Sequence, residues 1–358
     1  MILTNTTNYF GQLIEYLASQ WGLGGQILGY VIIAAIYLAF FALAGLILVL
    51  IERRVAAFFQ LRLGPNRVGP FGMFQTIADA LKLVSKEIFG TDRRDKLLYT
   101  TAYYLVIVAS LVSLSVIPFS VGVQAYDLNI GVFFISAVSS VGVLSILFGG
   151  WGSNNKYSLI GGMRSGLQMI SYELSSGLAI ITVILMAGTL QMSGIIEAQR
   201  DTWFILKGHI PALIAFVIFV IAGTAESNRT PFDLPEGEAE LGAGYHSEYS
   251  GMGFAYFFLA EFINMFIIAA VGVTLFFGGW LAPFHLTDGL AWQPLWGALW
   301  FFLKVSVFIF FMMWFRWTFP RLRIDQLLTL EWKYLLPIGL MNVVLMAIIV
   351  YFNLLISF

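Results

Sequence analysis

Six carboxylates and one base fall within twenty-seven residues of an otherwise very apolar chain. The stretch Gly223–Tyr249, GTAESNRTPFDLPEGEAELGAGYHSEY, carries Glu226, Asp233, Glu236, Glu238, Glu240 and Glu248, with Arg229 as its one cation. Apolar segments of at least 18 residues flank it on both sides. Like charges at this density repel one another, and scarce water penalises each ionised form, so some members hold a proton near neutral pH. Such acids titrate as a coupled set. The chemistry on offer is the binding and passing of protons or cations. A charge run usually marks a solvated loop. Here Pro231, Phe232, Leu234, Pro235, Leu241 and Tyr245 surround the acids, a composition that suits a folded, partly buried loop.

Two further acids stand alone inside apolar segments. Glu173 lies in RSGLQMISYELSSG and Glu261 in YFFLAEFINM. An ionisable group at membrane depth costs roughly 2.5–3.5 kcal/mol on insertion scales, which makes each a functional candidate. The alternative is a neutral Glu hydrogen-bonded to a neighbouring helix, aided at Glu261 by Asn264 three residues on. Lys304 is the single base of its segment. It can snorkel, pair with an acid or line a water path. Arg53, Arg54, Arg62 and Arg67 read as topology signals, or as contacts for lipid phosphate near a membrane face.

The elements that must hold these groups are membrane spans. Hydrophobic residues make up 59% of the 358 and charged residues 11%, against roughly 25% charged in a soluble domain. The fold class is all-α, a polytopic membrane protein of about eight spans. Apolar windows place them near Ile27–Leu50, Leu97–Phe119, Ile130–Gly150, Gly161–Gly188, His209–Glu226, Phe254–Trp280, Leu295–Trp317 and Tyr334–Ile356. Sixteen of the 19 Lys and Arg fall in or beside alternate connections, and only Arg200 and Lys207 on the other side. That bias puts the loaded loops in the cytoplasm and both termini outside. Residues 51–96 form a cytoplasmic loop. Within it Phe74–Ile88 is amphipathic, with Phe74, Ile77, Ala78, Leu81, Val84 and Ile88 on one face and Gln75, Asp79, Lys82 and Lys86 on the other. Such a helix lies in the interface plane. Residues 225–252 form the acidic cytoplasmic loop, and the whole chain, 1–358, reads as one membrane domain.

Several chemistries drop out. There is no cysteine, hence no ordinary iron–sulfur ligation and no disulfide. The three histidines are too scattered for a helical metal motif. No P-loop occurs, and the glycines of GGMRSG follow no strand, so neither ATP nor a dinucleotide has a site. A net charge of −1 gives no nucleic-acid signal. The N-terminus lacks the basic region and small-residue cleavage site of a signal peptide, and the first span is expected to act as an uncleaved insertion signal.

Taken together, two long blocks closely resemble one family. They are ERRVAAFFQLRLGPNRVGPFGMFQTIADALKLVSKE (Glu52–Glu87) and AESNRTPFDLPEGEAELGAGYHSEYSGMGFAYFFLAEF (Ala225–Phe262), supported by Asn155–Glu173 and Pro320–Pro337. The family is the H subunit of respiratory complex I, the proton-pumping NADH:quinone oxidoreductase, with mitochondrial NADH dehydrogenase subunit one as its counterpart. The resemblance implies one part of an enzyme, with no redox centre of its own and no cofactor bound, acting on a quinone, ubiquinone or menaquinone, as substrate. It implies a quinone tunnel shared with neighbouring subunits, apolar-walled with Phe58, Phe59, Phe71 and Phe232 as candidates, and a carboxylate chain leading into the membrane. By motif, Arg53, Arg62, Asp79 and Lys82 fall to the tunnel entrance and the first cytoplasmic loop. Glu226, Arg229, Phe232, Asp233, Glu236, Glu238, Glu240 and Glu248 fall to the cavity loop, and Glu173 and Glu261 to the proton path. Implied partners are the other complex I subunits, including the chain carrying the terminal iron–sulfur cluster and antiporter-like membrane subunits, together with membrane lipids. The implied location is a bacterial inner membrane or, alternatively, the mitochondrial inner membrane. The rival readings are the equivalent component of a membrane-bound hydrogenase or plastid-type complex, and a stand-alone proton or cation transporter.

Overall fold

The computed structural model describes residues 8–234, 237, 242–283, 286 and 292–355. Among these the architecture is helical, with one isolated bridge between Ser120 and Val123. In chain order the helices are α1 (Tyr9–Phe59), α2 (Gln75–Ser85), α3 (Lys96–Ser115), α4 (Gly131–Gly152), α5 (Lys156–Ala187), α6 (Met192–Glu197), α7 (Phe204–Lys207), α8 (His209–Glu226), α9 (Gly251–Phe276), α10 (Gln293–Thr318), α11 (Ile324–Thr329) and α12 (Leu336–Tyr351). A π-helical turn, Leu330–Leu335, joins α11 to α12. Among the described residues eight stretches are long and apolar enough to cross a membrane: α1, α3, α4, α5, α8, α9, α10 and the composite Ile324–Tyr351.

The span count agrees with the apolar windows, and the larger boundary differences have physical causes. The first helix begins at Tyr9 rather than Ile27 because the chain reverses at Trp21–Gly22, where Gly22 takes φ +59°. Only a residue without Cβ enters that region freely. The preceding arm folds back along the span, with Gly29 against Ile14 and Phe10 6.1 Å from Tyr37, ring to ring. The last span begins at Ile324 rather than Tyr334. Pro337 has no N–H to give and its ring crowds the carbonyl four residues back. The helix widens ahead of it, and the Leu336 N–H reaches back five residues to the Glu331 carbonyl. The amphipathic helix is α2, shorter than Phe74–Ile88, and Ile77, Leu81 and Val84 on its apolar face are exposed.

The spans alternate in direction, and the basic-rich connections gather at one end of the bundle. There the Asp95 N–H donates to the Gly152 carbonyl at 2.9 Å and Leu322 N–H to Pro231 at 3.0 Å. Asn154 reaches the Arg93 carbonyl at 2.9 Å. At the other end Val132 N–H donates to Leu190 and Tyr9 N–H to Gly122. Span α9 is the central one: 78% of its most apolar window is buried. Close crossings use glycine. A Cβ on Gly162 would lie 3.2 Å from Gly150 Cα, so α4 and α5 meet backbone to backbone, as small residues permit within a membrane.

Candidate functional site

Three intramembrane acids converge beneath the basic-rich end. Glu173, half-buried on α5, accepts a hydrogen bond from the Ser140 hydroxyl of α4. Glu226, the last residue of α8, accepts one from neighbouring Ser139 and lies within electrostatic reach of Glu173. Glu261 of α9 accepts from the Tyr245 phenol at 2.8 Å. Glu226 and Glu261 line one cavity together with Asn228, Tyr245 and Asn264. It offers about 20 Å³ to water centres, and roughly 10–15 Å³ of such room holds one water. The side-chain carbonyl of Asn264 accepts from Ser110 of α3 at 2.8 Å. Consecutive serines on α4, a cavity the size of a water and a phenol thus join three acids from three spans and a fourth element, the 3₁₀ turn Gly244–His246. Each linking group can donate and accept.

The cavity loop is partly described. Phe232 is buried, its ring centroid 5.3 Å from that of Tyr172 on α5. Gln168 of α5 pins the loop by donating to the carbonyls of Ala225 at 2.8 Å and Phe232 at 2.7 Å. Asp233 is half-buried there. Glu236, Glu238 and Glu240 lie outside the described residues. Glu248 is a clamp. One oxygen accepts from Thr91 at 2.6 Å and the other from Asn155 at 2.7 Å. It therefore ties the start of α5 to the segment ahead of α3. His246 is buried against Tyr245, Phe254 and Phe257. Burial lowers its pKa from 6.5 to about 3, because the protonated ring would lose its hydration.

Around α2 the charged groups are exposed or half-buried, and most are paired. Arg53 meets Asp79 at 2.5 Å, and Gln75 donates to the same carboxylate at 3.2 Å. Arg62 donates to Gln60 at 2.6 Å, and Arg54 to the Phe71 carbonyl. Lys82 sits in the last turn of α2, where a cation suits the helix dipole. Phe58, Phe59 and Phe71 present exposed rings beside this cluster.

Three arrangements are not legible in the sequence. Glu52, at the inner end of α1, is buried and bridges two guanidinium groups: Arg229 at 2.5 Å and Arg316 of α10. Arg229 also stacks 4.3 Å over the Phe262 ring. The signals are present, in an acid heading ERR at a span boundary and a lone Arg among six acids, but their meeting across 177 positions is a tertiary fact. Of the readings open to Lys304, pairing with an acid is not the one seen: it meets backbone carbonyls. Its ammonium donates to the carbonyls of Phe277 (2.6 Å), Gly279 (3.1 Å) and Leu281 (2.6 Å), capping the end of α9. Finally Glu331, within the π turn, is wholly buried and accepts from Ser175 of α5.

Fold and site together define a polytopic membrane protein that buries carboxylates near one membrane face. Among the described residues no group of His, Cys, Asp or Glu is placed to hold a metal ion. The family model described as NADH dehydrogenase matches residues 32–347. The H subunit of the NADH-quinone oxidoreductase of Bacteroides fragilis is 55% identical over 330 residues, covering 90% of this chain and 91% of that one. Its counterpart from Rickettsia prowazekii, also named as the H subunit, is 51% identical, covering 84% and 88%. NADH-quinone oxidoreductase subunit 8 of Rhodothermus marinus is 48% identical, covering 84% and 91%. The chain belongs to this NADH dehydrogenase family, as a membrane component of complex I.

Proposed function

We propose that this chain encloses, with neighbouring subunits, the tunnel in which quinone is reduced, and couples that reduction to proton translocation through its buried carboxylates. The observation that carries the reading is the Glu173–Glu226–Glu261 cluster, with its serine, tyrosine and water-sized links. Reduction of a quinone to a quinol takes two electrons from the partner chain holding the terminal cluster, and two protons. Negative charge therefore develops at the quinone head before protons arrive. In a low-dielectric cavity that charge acts on nearby carboxylates far more strongly than it would in water. The cavity loop, with Asp233 and the run Glu236, Glu238 and Glu240, takes up protons in response, and the coupled acids below shift with it. The exposed Phe58, Phe59 and Phe71 supply the apolar surface that an isoprenoid tail needs. The Arg53–Asp79 pair with Arg62 and Lys82 forms a charged rim at the entrance. On this reading the basic-rich end faces the bacterial cytoplasm, where the hydrophilic arm docks.

The test uses the whole complex, reconstituted in vesicles, with Glu173→Gln and Glu236→Gln. Glutamine keeps the shape and cannot exchange a proton. NADH:quinone turnover and proton uptake are expected to fall together, with complex content on native gels unchanged. Normal turnover and normal pumping in both variants would show that these acids are structural. A chain that purified without other respiratory subunits would favour a stand-alone transporter.

A further inference from the structure

Glu331 stands apart from the acid cluster and is more deeply buried than any of its members. Its side chain has 0% exposure. One carboxyl oxygen accepts from the Ser175 hydroxyl, and the other, Oε2, has no hydrogen-bond partner among the described residues. A carboxylate has about four lone-pair directions to satisfy, and a buried polar atom left over calls for an explanation. Among the described residues no cation supplies one. The ionisable group facing Glu331 from α5 is the Tyr172 phenol, while Asp325 and Lys333, nearest on its own segment, are exposed to the other side. The backbone is also exceptional, a π turn, which in helices recurs at functional sites. Glu173 and Ser175 are two residues apart on α5, about 200° around the helix. Glu331 therefore lies on the face of α5 away from the Glu173 cluster.

The position is wired to the cavity loop. Tyr172 lies against Phe232 of that loop and donates to the Leu327 carbonyl on α11 at 3.2 Å. Just ahead of α11, Leu322 N–H bonds Pro231 at 3.0 Å, and Arg321 reaches the Leu234 carbonyl at 3.4 Å. Movement or charging of the loop is thus felt by the segment that carries Glu331. Trp332 donates to Ser171 at 3.4 Å and fixes the other edge of the π turn on α5.

We propose that Glu331 is a second intramembrane proton site: a carboxyl that holds a proton in the resting enzyme and whose bonding or proton occupancy changes when quinone reduction charges the cavity loop. As a neutral acid it needs two contacts rather than four; Ser175 supplies one, and a proton on Oε2 removes the charge that burial without a cation would penalise. The turnover part of the proposal rests on the coupling reading above.

The experiment is infrared difference spectroscopy of the whole complex, oxidised against quinone-reduced, in H2O and 2H2O. Assembly is checked on native gels and by NADH oxidation with a water-soluble acceptor. The parent complex is expected to show a protonated-carboxyl C=O band that downshifts in 2H2O. Glu331→Gln keeps an acceptor for Ser175 and is expected to lose that band. Ser175→Ala removes the donor and is expected to move it to higher frequency. Parent carboxyl bands that persist unchanged in both variants would overturn the proposal while leaving the Glu173 pathway intact. A parent complex with no carboxyl band at all would overturn the coupling reading itself, and this proposal with it. If Glu331→Gln fails to assemble, the Ser175→Ala spectrum alone decides: a shifted band supports the site and an unshifted one refutes it.

Discussion

Removing Glu52 exposes how much of this protein is held by charge rather than by packing. Glu52 is the carboxylate between Arg229 and Arg316. The Arg229 side chain is 4% exposed, and its Nε and Nη2 find no other acceptor among the described residues. Glu52→Gln would leave a buried guanidinium without a counter-charge, held by a neutral amide carbonyl and the face of Phe262. Breaking a buried pair by deleting one partner costs about 3–5 kcal/mol. Arg316, 28% exposed, adds at most about 1 kcal/mol because water screens its share. At about 1.4 kcal/mol per tenfold, thermal inactivation of the purified complex should quicken by roughly a hundredfold to a few thousandfold if most of the loss falls on the unfolding barrier. The assay is the half-life of NADH:quinone activity at fixed temperature, with complex content read from native gels. The decisive comparison is Glu52→Gln with Arg229→Met. Replacing both partners removes the uncompensated charge, so the double variant should outlive the single Glu52→Gln. Groups that interact give non-additive changes. If the double variant is as labile as the two single losses added together, the bridge carries no coupling energy and the reasoning fails.

Three further outcomes follow from other contacts. Asp79→Asn should lower turnover with long-tailed quinone several-fold while changing thermal stability by no more than about 1 kcal/mol, since its partner Arg53 is 42% exposed; matched rates for long- and short-tailed quinones would place Asp79 outside the entrance. Gly161→Ala should destabilise the complex by about 1–3 kcal/mol and weaken quinone reduction, because a Cβ there would lie 2.9 Å from both Gly244 Cα and Tyr245 N, displacing the phenol that bonds Glu261; wild-type stability and rate would refute this. The folded-state pKa of His246 is depressed from 6.5 to about 3, so between those values the unfolded chain binds the extra proton. Its contribution is complete above pH 6.5 and falls by about 1.4 kcal/mol per pH unit as pH drops toward 3. His246→Phe should flatten that acid limb in a stability-against-pH profile, and an unchanged slope would count against it.

The fold was legible wherever one physical signal dominated locally. Twenty apolar residues in a row can be little else than a span, and the Lys and Arg bias placed alternate loops at a common end, where the structure finds them. Boundaries failed where backbone chemistry intervened: Gly22 turned a helix back on itself, and Pro337 widened one. Glu173 and Glu261 could be marked from sequence because charge inside an apolar run is expensive whatever its neighbours. Glu52 and Glu331 could not. Each sits near the end of an apolar segment beside other charges, where an acid reads as solvated, and only the crossing of distant helices buries it.

That asymmetry bears on how the protein works. Acids recognisable from sequence are costly within a single helix, and in the structure they are bridged by serines, a phenol and a water-sized cavity, links that can both donate and accept hydrogen bonds. Glu52 is instead locked between two fixed cations and is suited to holding the cavity loop in register through Arg229. The loop is anchored on three sides: by that ion triad, by the two Gln168 hydrogen bonds to α5, and by Leu322 and Arg321 ahead of α11. These contacts hold the described stretch, residues 225–234, in place. On the proposed reading, charge appearing beside that stretch is answered by proton redistribution among the acids, a response favoured in a low-dielectric site. Loosening the loop through Glu52 should therefore uncouple more than it slows: pumping should fall further than quinone reduction in whatever fraction of Glu52→Gln complex assembles, whereas Glu173→Gln should depress both alike. Equal losses in the two variants would show that the anchoring of the loop plays no part in coupling.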